Sequence, residues 1–324
     1  MDRIKLGFIG VGGMGQHHLK TVAQMPEAQV VAICDVNEEL AQSLAAAHGG
    51  RAYGNHHDLL EKEKLDALYI AVPPFAHTDA ELIAAGKGIH LFVEKPVDLS
   101  LEKAHRVRDA IRRAGVISTS GYVLRYYKVN SLLRSYLAGK KIAMISVCRW
   151  GGPIGGWWSV MSRSGGQLVE QTTHQVDLVR YTTGKEIVSV YADYALRVMG
   201  DAPGFDIPDV YSTSMRLEDG TLVSLSTACT MRRGGGASSM SFLLDGELIE
   251  AGWTTIKSLP EPNPALDGEH GVEMDIDRAF VDAVRTGDRS LLRIDYADAV
   301  RTLAVTLAAN ESAQTGKPVQ VQLD

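Results

Sequence analysis

Gly10-Val11-Gly12-Gly13-Met14-Gly15 follows the apolar run Ile4 to Ile9, and Asp35 closes the next apolar run, Val30 to Cys34, 20 residues past Gly15. The order of a strand, a glycine turn, a helix start and a second strand ending in a carboxylate suits a dinucleotide. Gly10 permits the tight turn, Gly12 lets the backbone approach a pyrophosphate, and Gly15 lets helix and strand come close. The helix opening at Gly13 and Met14 offers unpaired N–H groups and the positive end of its dipole to phosphate. Asp35 can accept hydrogen bonds from both hydroxyls of an adenosine ribose and repels a 2′-phosphate, so the pattern predicts NAD rather than NADP.

Two further groups could move a proton. Glu94-Lys95-Pro96 ends the run Ile89 to Val93, which places Lys95 at the carboxyl edge of a parallel sheet, where ligands bind in such folds. Partial desolvation beside a cationic ring disfavours the ammonium and suits it to acid–base work; the competing reading is a solvated lysine at a strand end. Downstream, Gly165-Gly166 opens what reads as one helix, on which Glu170, His174 and Asp177 fall at i, i+4 and i+7 and so share a face. An imidazole between two carboxylates suits proton transfer near neutrality, although a solvent-facing polar stripe has the same spacing. No metal site is expected, because His17-His18 and His56-His57 are adjacent pairs and adjacent positions do not share a helix face.

Trp157 and Trp158, between glycine-rich connections, could lay an indole against the C–H face of a sugar, or else belong to the core. Arg125, Tyr126 and Arg163 are further candidates for contacts to ligand hydroxyls or carboxylates.

The elements that must position these residues fall into two textures. Up to about residue 120, β-rich runs at Ala67 to Val72, Gly88 to Val93 and Val116 to Ser120 alternate with helical stretches at Ala76 to Ala85 and Ser100 to Ala114. This predicts a doubly wound parallel α/β sheet over 1–121. Over 122–324 the strands lengthen, at Lys141 to Trp150, Val188 to Arg197, Val210 to Leu217, Thr221 to Cys229 and Ser241 to Glu250, with Glu218-Asp219-Gly220 and Leu244-Asp245-Gly246 as turns. The second domain is therefore α+β with a large open, mainly antiparallel sheet; helices follow near Met274 to Arg285 and Tyr296 to Ser312, and the C-terminal helix is expected to pack back on the first domain.

Composition narrows the classes. The 324 residues suffice for two domains, the net charge is −6, and 45% of residues are hydrophobic. No basic arm suggests a nucleic-acid partner, no apolar stretch approaches a membrane span, and the N-terminus enters a strand at once, so a cytoplasmic protein is the expectation. Cys34, Cys148 and Cys229 are too few and too scattered for a disulfide framework or a zinc site. Strands with few charges on one face suggest a homodimer or homotetramer.

The chain as a whole resembles the Gfo/Idh/MocA family, the glucose-fructose oxidoreductase and inositol dehydrogenase group. The resemblance rests on the GVGGMG turn, Asp35, Ala71-Val72-Pro73-Pro74-Phe75-Ala76-His77, Ala85-Gly86-Lys87 leading to Glu94-Lys95-Pro96, the segment with His174 and Asp177, and Ser312 to Val319. It implies a Rossmann domain followed by a domain that binds a carbohydrate or cyclitol. It further implies NAD as cofactor, with Pro73, Pro74, His77 and Glu94 near it. Lys95 and His174 would be the catalytic pair, with Asp177 assisting and Glu170 at the substrate. The implied activity is hydride transfer between nicotinamide and a secondary alcohol. Two other activities fit the same residues: an NAD-dependent hydrolase or lyase using transient oxidation, and a non-catalytic NAD-sensing regulator. Glu170 stands where the family usually has aspartate.

Overall fold

The computed structural model describes residues 3–323 and divides into two units. The first runs to Tyr122 and takes in Met274–Val300; the second comprises Val123–Glu273 and continues from Arg301. Residues 274–300, assigned above to the second domain, therefore belong with the first. They do so because Phe280 and Asp277 of their first helix are buried against it.

In the first unit, strands β1 (Ile4–Ile9), β2 (Ala28–Cys34), β3 (Arg51–Tyr53), β4 (Ala67–Ile70), β5 (His90–Val93) and β6 (Ser118–Ser120) form one sheet in the order β3-β2-β1-β4-β5-β6. Every pairing is parallel. Helices α1 (Gly13–Val22), α2 (Glu38–His48), α3 (His56–Lys62), α4 (Ala80–Gly86) and α5 (Leu101–Ala114) make the crossovers. The side chains of Asn37, Asn55 and Ser100 accept from backbone N–H groups to start α2, α3 and α5, satisfying donors that a helix start leaves orphaned. α4 begins later than the sequence suggests, since Pro74–Ala76 forms a separate 3-10 turn.

β4 is buried on both faces, as a parallel strand between helices must be. Its Tyr69 stacks between Phe8 of β1 and Phe92 of β5, with ring centroids 4.7 Å away on each side, and Phe280 meets both Tyr69 and Phe92 edge-on. Offset and edge contacts of this kind add about 0.5–1.5 kcal/mol per pair beyond area burial.

The second unit contains α6 (Lys128–Leu137), α7 (Met161–Ser164), α8 (Gln167–Glu170) and α9 (Thr173–Thr183). Its strands begin with β7 (Ile142–Trp150), β8 (Ile187–Ala195), β9 (Val210–Leu217), β10 (Leu222–Ala228), β11 (Ala237–Leu244) and β12 (Leu248–Ala251), and continue with β13 (Thr255–Leu259), β14 (Gly268–Glu269) and β15 (Val319–Gln320). Nine strands make one sheet in the order β14-β13-β12-β11-β7-β10-β9-β8-β15, antiparallel except for the β7–β10 pair. The expected single strand at Ser241 to Glu250 is a hairpin, because Asp245 and Gly246, the latter at φ 72°, turn the chain between β11 and β12. Alternation is clean: Ile145, Val147, Val223, Leu225, Met240 and Phe242 face the helices, and their neighbours face outward. Helix α10 (Ile276–Thr286) belongs to the first unit, and α11 (Tyr296–Thr315) passes from the first into the second.

Candidate active site

The glycine turn has the geometry its sequence predicts. Gly10 has φ 82°, and a Cβ there would lie 2.6 Å from the Ala71 carbonyl oxygen; a Cβ on Gly15 would lie 2.1 Å from the Gly10 carbonyl oxygen. Those two glycines are thus required by packing. Around a Cβ on Gly12 or Gly13 there is nothing within 4 Å, so their absent side chains leave an open approach to the first turn of α1. Gly12 caps that helix without any side-chain hydrogen bond. This open backbone at a helix N-terminus fits a pyrophosphate.

Asp35, directly after β2, accepts from the Val11 N–H through Oδ2 (2.8 Å) and from the Asn37 N–H through Oδ1 (2.9 Å). The carboxylate is held at the end of the strand while each oxygen retains a lone pair for a ribose hydroxyl. Met14, Val36 and Phe75 follow β1, β2 and β4 at this same edge and are exposed, Val36 by 95%, which is apolar surface suited to flat rings. Among the other expected cofactor residues, Pro73 is half-buried and Pro74 buried.

Two expected cofactor residues are occupied otherwise. Glu94 is buried and bonded to His18 Nε2 (2.9 Å), whose Nδ1 meets both carboxylate oxygens of Asp277 on α10 (2.8 and 3.0 Å). Burial opposes charge on this imidazole, but the hydrogen bonds and charges of Asp277 and Glu94 outweigh it and raise the His18 pKa to about 10. A Cβ on Gly121 would lie 2.3 Å from the Glu94 carboxylate, so glycine leaves room for this cluster. His77, expected at the cofactor, is buried with its Nδ1 on Glu81 of α4. In the sequence His18 stands out only as half of an adjacent histidine pair, because only the fold brings positions 94 and 277 to it.

Glu94 Oε2 also accepts the Lys95 backbone N–H (2.9 Å). Lys95 is half-buried directly after β5, at the sheet edge that also carries Gly12 and Asp35.

In the second unit the expected helix from Gly166 to Leu178 is broken at Gln171 and Thr172 into α8 and α9. The Thr172 hydroxyl is tied to that of Thr227 on β10 (2.8 Å), which pulls the break down onto the sheet. Glu170 and Asp177 therefore do not flank His174 on a continuous face. Glu170 is buried and accepts from the Trp158 indole N–H (2.6 Å). Asp177 is buried and takes two hydrogen bonds from Arg125 (2.8 and 2.6 Å) and one from Thr302 (3.1 Å). His174 alone of the three is half-exposed, in the first turn of α9.

The same contacts revise other substrate candidates. Arg125 is committed to Asp177, with its guanidinium 5.0 Å from the centre of the Tyr181 ring, and Tyr126 is fully buried. Trp158 is fully buried in a cluster with Met199, Phe205, Ile207 and Cys229. Trp157 is half-exposed and Arg163 exposed.

Comparison with known proteins agrees with this architecture. Residues 4–122 match the family model described as oxidoreductase family, NAD-binding Rossmann fold, and residues 126–249 match the GFO/IDH/MocA C-terminal domain. The chain belongs to the GFO/IDH/MocA oxidoreductase family. It is 24% identical to the scyllo-inositol 2-dehydrogenase (NAD(+)) of Bacillus subtilis, over 99% of this chain and 97% of that protein. It is 30% identical to the glucose-6-phosphate 3-dehydrogenase of the same organism, over 44% of this chain and 40% of that one. The fold matches the WlbA dehydrogenase of Bordetella pertussis, solved with NADH and UDP-GlcNAcA, at a TM-score of 0.88 and 24% identity, covering 100% and 99% of the two chains. Among the described residues, no helix is long and apolar enough to cross a membrane.

Proposed function

We propose that this protein is an NAD-dependent dehydrogenase or reductase acting on a secondary alcohol of a sugar, sugar derivative or cyclitol. The observation that carries the reading is the placement of Lys95 at the sheet edge that also bears the open Gly12 turn and Asp35. NAD supplies the hydride acceptor or donor, and the protein supplies position and proton transfer. Lys95, its backbone fixed by Glu94, donates to the reacting oxygen, and the family resemblance makes His174 of the second unit the further candidate for proton transfer. Asp177 acts at one remove, fixing Arg125 and α9 rather than touching substrate. The B. subtilis relatives, named for an inositol and for glucose 6-phosphate, support this substrate range.

Steady-state rates of NAD reduction over a panel of inositols and sugars test the proposal. Lys95→Met and His174→Asn should each lower kcat by about 10²- to 10⁴-fold while NAD affinity holds. Full turnover in both variants would sink the assignment.

The outer face of the nine-stranded sheet supports a homodimer. Leu243, Met144 and Leu222 stand side by side on β11, β7 and β10, exposed by 47, 41 and 43%, among serines at 146, 224 and 241. An apolar stripe with few charges around it suits a second copy of the same face. Light scattering on Met144→Lys should then show monomers.

A further inference from the structure

Arg149 was not singled out by its sequence context, yet its place in the second unit is distinctive. It lies on β7 in register with Thr227 of β10 and Ser238 of β11, and residues paired across a sheet project from the same face. Thr227 bonds to Thr172, and Ser238 accepts from Gln175 Nε2 (3.3 Å). Arg149 therefore projects on the helix-covered face, between two residues tied to the segment that holds His174. Its guanidinium lies against Gly151, where a Cβ would come within 2.2 Å of it.

This cation is half-buried, and no carboxylate or other acceptor engages its side chain among the described residues. Its titratable neighbours are thiols. Burial raises both Cys148 and Cys229, the latter to about 12, so neither carries negative charge near neutrality. Asp209 is spent on the N–H groups of Arg197, Val198 and Met199. Burial pulls the Arg149 pKa down, as expected for a cation without a counter-ion. The N-terminal end of α9 adds a positive dipole to the same region.

We propose that Arg149 is a specificity-determining residue that receives an anionic substituent, carboxylate or phosphate, on the sugar substrate. The inference rests on the function proposed above and narrows it to acidic or phosphorylated sugars. A planar guanidinium pairs with either group through two parallel hydrogen bonds, and an arriving anion restores the charge balance that the fold leaves open.

The test is calorimetric titration of the NADH-loaded protein with glucuronate, glucose 6-phosphate and glucose. At least one anion should bind about tenfold or more tighter than glucose, the advantage expected of charge-assisted hydrogen bonds; which one does so tells carboxylate from phosphate. Arg149→Met should bring that ratio close to one, and Arg149→Lys, which keeps the charge and guards against loss of folding, should keep part of it. A ratio near one in the wild type, no measurable binding of either anion, or an unchanged ratio in Arg149→Met would overturn the proposal. Because the ratio is read without turnover, it is independent of NAD reduction, whose absence over the whole panel would instead defeat the proposed dehydrogenase.

Discussion

Arg125 donates through Nε and Nη2 to the two carboxylate oxygens of Asp177, and both side chains are buried. Thr302 donates to the same carboxylate and itself accepts from Arg180, which is paired in turn with Glu186. The pair thus joins the turn at Val123–Tyr126, helix α9 and helix α11 within the second unit.

Removing one partner leaves the other charged and buried. Asp177→Ala should cost about 3–5 kcal/mol of stability, measured by urea denaturation, and should change kcat much less than His174→Asn. A variant of native stability that had lost all turnover would restore Asp177 to the reaction itself.

The His18 cluster predicts a pH dependence. His18 titrates near 6.5 when unfolded and near 10 when folded, so its contribution is complete below pH 6.5, declines above it and is lost beyond about pH 10. The groups facing it are Glu94 and Asp277, with the rings of Tyr69 and Phe92 beside it. Unfolding free energy should fall over this interval more steeply in the wild type than in His18→Gln. Parallel profiles for the two proteins would contradict the assignment of a buried imidazolium.

Two glycines of one motif should behave differently. Gly15→Ala drives a methyl group into the Gly10 carbonyl and should lower both the thermal midpoint and NAD affinity. Gly12→Ala meets no protein atom within 4 Å, so the midpoint should hold while NAD affinity drops. Scanning calorimetry and NADH fluorescence titration separate these outcomes; equal NAD affinity in Gly12→Ala and wild type would remove the pyrophosphate from this turn.

Much of this protein was legible from its residues. The glycine turn, Asp35 and the alternating apolar runs determined a parallel Rossmann sheet and its nucleotide, because these signals are local: a few neighbouring residues fix the turn, the helix start and the strand end. The serine- and leucine-rich strands likewise revealed a mainly antiparallel second sheet. What a polar side chain is for was a different matter. Spacing put Glu170, His174 and Asp177 together, whereas the Thr172–Thr227 contact breaks their helix and sends the two carboxylates to Trp158 and Arg125. His18 found its partners 76 and 259 residues away, and Arg149 showed its lack of one only once β10 and β11 stood on either side. A side chain's period along the chain determines its face, but its charge partner is chosen across the fold, where desolvation makes each buried group depend on whichever opposite charge the topology delivers.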